Sequence, residues 1–133
     1  MTEQLGWLDT NIFLHSLYHN DPEFQRSRAI LAALDSGEAE AWLDPVVVHE
    51  LTYALARHPS FSTRQAIHAY VRDIVLTDTI HLPDKDGMIE ALARWESQGS
   101  GFADAWLAVL ACRHGLPVCS ANRRHFPDVQ NSF

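Results

Sequence analysis

Four short apolar segments, residues 5–8, 40–43, 79–82 and 116–120, are separated by stretches long enough to hold one or two helices each. Strands joined across such distances pair in parallel through helical crossovers and not as hairpins. The intervening stretches carry helix signals. Asp9 or Thr10 caps a helix over 11–19. Asp21-Pro22 opens one whose stripe Phe24, Ile30, Leu31 and Leu34 ends near Ser36-Gly37, and Asp44-Pro45 opens another to about residue 57. Ser62 or Thr63 starts a fourth, with Ile67, Tyr70, Val71, Ile74 and Val75 on one side. Apolar spacing predicts helices over 84–96 and 102–114, the last closed by Gly115. The alternation specifies an α/β domain with a mainly parallel sheet covered by helices on both faces. In such sheets sites form at the carboxyl ends of strands, where Asp9 and the segment 120–122 stand.

The length of 133 residues suits a single domain spanning 1–133, and 47% hydrophobic with 20% charged residues is a globular composition. No basic stretch precedes a long apolar one at the start, and no segment is long enough to span a bilayer, so a cytoplasmic protein without a membrane association is expected. There Cys112 and Cys119 would be reduced and would serve as small buried hydrophobes. The net charge of −7 argues against a general polyanion binder but not against a nucleic-acid enzyme. A cation held by carboxylates would supply the positive centre. The basic residues are arginines apart from Lys85, and arginine suits bidentate phosphate contacts.

Residues 102–112 are apolar or small except for Asp104. A carboxylate buried on a core helix loses several kcal/mol of solvation unless it is paired or holds a metal. Asp9 and Glu50 stand in similarly apolar stretches, Glu50 sharing a helical face with Val46, Val47, Tyr53 and Ala54. Taken singly, Asp9 reads first as a helix cap, and Glu50 reads equally as the partner of an arginine. Taken together, three acids near the starts of elements would repel one another unless a cation neutralised them. Oxygen donors without a matched Cys or His set favour Mg²⁺ or Mn²⁺. Other chemistries lack their residues. Asp9-Thr10-Asn11 has no second aspartate two residues on, Tyr53 stands where HExxH needs its second histidine, and the chain has no P-loop and no Gly-x-Ser-x-Gly elbow.

These residues resemble the motifs of PIN-domain nucleases, specifically the VapC toxins of VapBC toxin–antitoxin pairs. The likeness rests on 8–13 (LDTNIF), 48–51 (VHEL), 101–105 (GFADA) and 120–126 (SANRRHF), in order along nearly the whole chain. It implies a three-layer α/β/α sandwich and a Mg²⁺- or Mn²⁺-dependent endoribonuclease. It also implies a homodimer, inhibited by a cognate VapB-type antitoxin and cutting a tRNA or rRNA loop.

The likeness assigns Asp9, Glu50 and Asp104 as catalytic and metal-binding acids. Thr10, Asn122, Arg123 and Arg124 would contact the RNA, although the two arginines read equally as part of a solvated loop. Many relatives carry a fourth acid where this chain has Asn122, and another where it has Gly101, so the site is leaner than the fullest family pattern. Candidate antitoxin contacts lie around Phe13, Leu17, Tyr18, Tyr53, Ala54 and Arg57, stripes that read more readily as core. A PIN nuclease of RNA processing, a catalytically weak PIN binding module and a small-molecule metal phosphatase are the alternatives.

Overall fold

The structure, a computed structural model, describes residues 2–133. They form two units, one running to Pro83 and the other from Asp84 to Phe133.

In the first unit the expected parallel sheet forms from β1 (Glu3–Trp7), β2 (Ala39–Trp42) and β3 (Ile80–His81), in the order β1-β2-β3. The two-residue period of β2 turns Ala39 and Ala41 to a buried face and Trp42 to the other. Each strand feeds a helix almost at once. Asp9 caps α1 (Thr10–His15), and Asp44 caps α3 (Pro45–Ala54) by accepting a 2.9 Å hydrogen bond from the Val46 amide. The crossovers are completed by α2 (Phe24–Ser36) and α4 (Arg64–Leu76), the latter capped by Thr63. Phe13, Leu34, Leu43, Val48, Leu51, Leu55, Val71 and Val75 are fully buried, each side chain stabilising the fold by about 1.5–3 kcal/mol.

The register carries one irregularity. Gln4 pairs with Glu40 and Trp7 with Trp42, so β1 holds one more residue than β2 between those points. Gly6, at φ +83°, accommodates the extra residue, a conformation that a side chain disfavours. The bulge sets the direction in which the chain reaches Leu8, which is buried, and Asp9.

The second unit holds α5 (Lys85–Gln98) and α6 (Phe102–His114), packed together and tied by a 2.9 Å ion pair from Arg113 Nε to Asp84, the cap of α5. Gly115 ends α6 in the left-handed conformation. The chain then loops out and returns. Val118 forms a parallel bridge to Asn131, and its amide donates to the Gln130 carbonyl at 2.9 Å. The loop between is held by Phe126, which is 4% exposed and clusters with Ala108, Ala111 and Val118. Arg94 of α5 donates two hydrogen bonds to the Asp128 carboxylate.

Several expectations are corrected. The helix after Asp9 stops at His15, because the Ser16 hydroxyl donates to the Phe13 carbonyl (2.5 Å) and His15 turns to Asp21 (2.5 Å). No strand forms over 116–120; Pro117 has no amide to donate, and only the single bridge at Val118 remains. Cys112 and Cys119 are free but exposed, Cys112 lying on the outer side of α6. Among the described residues no helix is long and apolar enough to cross a membrane.

Gly6→Ala places a side chain at a positive φ with open space around it; it is expected to lower stability by about 1–2 kcal/mol, measured by urea unfolding. A second expectation concerns acid. The Arg94 hydrogen bond holds the Asp128 carboxyl below its usual 3.8, against a smaller opposing effect of burial. A carboxyl depressed in the folded state stabilises above its unfolded value and loses that contribution as pH falls through the folded one. The melting temperature should therefore drop below about pH 4, and Asp128→Asn should flatten that drop.

Candidate functional site

Two of the expected site acids meet in the first unit because their strands are neighbours. Asp9 follows β1 as the cap of α1, and its carboxylate accepts a 2.9 Å hydrogen bond from the Thr10 amide. Glu50 lies in the second turn of α3, the helix that leaves the adjacent strand β2. Thr10 links the two. Its side chain is buried and its hydroxyl donates to Glu50 Oε2 at 2.6 Å. A hydrogen bond to a charged acceptor is among the stronger neutral-donor contacts, about 1.5–3 kcal/mol. The hydroxyl that the sequence suggested for a phosphate thus gives its proton to Glu50. Asp9, Thr10, Asn11, His49, Glu50 and Tyr53 line one open hollow.

The second unit gathers the other expected residues. Asp104 sits in the first turn of α6, where the helix dipole favours an anion. Its Oδ2 lies 2.9 Å from His125 Nδ1. Asn122 begins the short 3-10 helix Arg123–His125; its amide donates to Ser120 Oγ (3.1 Å) and its carbonyl accepts from the His125 amide (3.0 Å). Arg123 donates to the Phe133 carbonyl at 2.8 Å, and Arg124 is exposed. His125 stood in the sequence motif without a role. Its pairing with Asp104 spans two elements, and the packing of the neighbouring Phe126 on α6 helps to hold it there.

The premise of buried charge does not hold. Asp9 and Glu50 are exposed and the Asp104 side chain is 28% exposed. Glu50 shares its face with Val46 and Tyr53, but these are 55% and 70% exposed, so the apolar stripe beside the acid faces water. Arg57 lies over the Tyr53 ring, 5.5 Å from its centroid. Of the other residues named for a partner surface, Tyr18 is exposed while Phe13 is fully buried and belongs to the core.

None of these carboxylates is fully buried, so burial alone does not demand a cation. What they offer one is direction and charge. Among the described residues no group of three or more His, Cys, Asp or Glu is gathered for a metal; the hollow of the first unit contributes a carboxylate pair. A pair of carboxylates with room for water suits Mg²⁺ or Mn²⁺, which keep several waters and take one or two protein carboxylates. The residues present fit such an ion in donor chemistry.

In comparison with protein families, a family model described as "PIN domain" matches residues 7–131. The match runs through both units. No curated protein matches the chain.

If Thr10 orients Glu50 for a cation, Thr10→Val, which keeps shape and loses the hydroxyl, is expected to raise the Mn²⁺ dissociation constant by roughly tenfold, the equivalent of one such hydrogen bond. Thr10→Ser should bind like the wild type. Titration followed by the electron paramagnetic resonance of free Mn²⁺ checks both.

Proposed function

The chain belongs to the PIN-domain family, whose members are in general metal-dependent nucleases, and on that premise we propose that it is a Mg²⁺- or Mn²⁺-dependent endoribonuclease, the VapC-like toxin of a toxin–antitoxin pair. The observation that carries this reading is the pair Asp9 and Glu50, delivered to one hollow by adjacent parallel strands and linked through Thr10.

In this reading Asp9 and Glu50 hold a cation in the hollow of the first unit, and Asp104, on α6 of the second, is a further metal-binding acid. When bound, the ion activates water and offsets the charge that builds on a phosphate during hydrolysis. The protein's own residues do the rest. Thr10 keeps the Glu50 carboxylate in one orientation, which spares the side-chain entropy that an exposed glutamate would otherwise lose on binding. Asn122 and Arg124, exposed on the loop beside Asp104, take the RNA backbone, arginine matching phosphate in a bidentate manner. Asn122 adds no charge, so the acidic set is leaner than a four-acid site.

The surface beside the hollow supports an antitoxin as the partner. Val46 and Tyr53 leave an exposed apolar strip next to two acids. An antitoxin segment with apolar residues and one basic side chain would cover the strip and neutralise the acids. A homodimer and a structured RNA loop as target complete the proposal.

The test is cleavage of total cellular RNA by purified protein with Mg²⁺, Mn²⁺ or EDTA, beside Asp9→Asn. Discrete fragments that require the metal and fall by at least a hundredfold in Asp9→Asn are expected. Folded protein that cuts no RNA with either metal would turn the reading toward a binding module.

A further inference from the structure

His125 has no part in the roles given above, yet the structure places its ring on the Asp104 carboxylate, Nδ1 lying 2.9 Å from Oδ2. Asp104, Ala108 and Ala111 recur at i, i+4 and i+7 on one face of α6. The lower two carry Phe126, which is almost fully buried against them. Burying such a ring stabilises by about 1.5–3 kcal/mol, so the residue before it is held over the top of the same face. That residue is His125. The position is fixed from three further directions. The His125 amide bonds to the Asn122 carbonyl, Arg94 grips Asp128, and the Val118–Asn131 bridge closes the base of the loop. The Ser120 backbone is also tied to the Asn131 side chain, at 2.9 Å and 3.3 Å.

The consequence lies in the geometry of Asp104. An ionised carboxylate only accepts, so Nδ1 of His125 is the donor. With Oδ2 engaged at 2.9 Å, the carboxylate favours one orientation and Oδ1 is left free to take another partner. The side chains are 42% and 28% exposed. In such a setting an ion pair contributes little to stability, about 1 kcal/mol or less. A tie of small energetic value held by so many supports is better explained by orientation than by stability.

We infer that His125 is the positioning residue of Asp104, fixing one carboxylate oxygen so that the other faces a divalent cation. The inference rests on the nuclease reading and extends it. Partners that hydrogen-bond to ligating groups orient them, and losing one costs roughly 10–100-fold in metal affinity. His125 acts through Asp104 and touches no substrate in this scheme.

Two substitutions separate the donor from the ring. His125→Phe keeps a ring of similar bulk and removes the donor. His125→Asn removes the ring and keeps an N–H near the position of Nδ1. Mn²⁺ binding is followed by the paramagnetic resonance of free Mn²⁺, with thermal unfolding alongside. Expected is a dissociation constant raised roughly 10–100-fold in His125→Phe and close to wild type in His125→Asn, the melting temperatures of the two not following that order. Wild-type affinity in His125→Phe, or equal weakening in both variants, overturns the positioning role and leaves a packing role. Wild-type protein that neither binds Mn²⁺ nor cleaves RNA overturns the nuclease reading itself, and the inference with it.

Discussion

The hydrogen bond from Thr10 to Glu50 is where the fold of the first unit becomes chemistry. It joins residues that are 40 apart in the chain, and it exists because β1 and β2 are parallel neighbours whose following helices start at the same edge of the sheet. Parallel pairing puts both carboxyl ends together, and the caps Asp9 and Asp44 turn each chain into a helix within two residues of its strand. Without that arrangement Asp9 and Glu50 would be two ordinary exposed acids. With it they share one hollow, and one of them is held in a single orientation by a buried hydroxyl.

This changes the physical basis of the site. A buried acid cluster attracts a cation because the fold pays a solvation penalty otherwise. An exposed pair carries no such penalty, so an affinity for a cation would rest on preorganisation, on a carboxylate that need not search for its orientation. Thr10 supplies that for Glu50 and the Thr10 amide does so for Asp9. In the second unit His125 stands in the same relation to Asp104. Three acids, each with its own donor, form a consistent pattern in a chain whose net charge of −7 makes unassisted contact with RNA unfavourable.

Much of the fold is legible in the sequence because its signals are local. The helix over 102–114 and its glycine stop follow from apolar spacing and one left-handed residue, and the strands before Asp9 and Asp44 follow from short apolar runs closed by caps. What is not legible depends on which way a face looks. Periodicity groups Val46, Glu50 and Tyr53 on one side of α3, but it does not say that this side faces water. The same applies to Cys112, which shares an apolar run with Ala108 and Ala111 yet points outward. The segment 116–120 has strand-like composition, and a single proline removes the donor that a ladder needs there. Within the candidate site, Asp9, Glu50 and Asp104 are visible as acids in unusual company. Thr10 as the holder of Glu50 and His125 as the holder of Asp104 are contacts made across elements, and no spacing rule encodes them.

The central claim is that the Asp9–Glu50 hollow is built to receive a divalent cation. Anomalous diffraction from crystals soaked in Mn²⁺ tests it most directly. The account predicts a peak about 2.2 Å from an oxygen of Asp9 or Glu50, in the range of metal–oxygen bonds. A hollow with no anomalous density at saturating Mn²⁺, its carboxylates free and ordered, would contradict it.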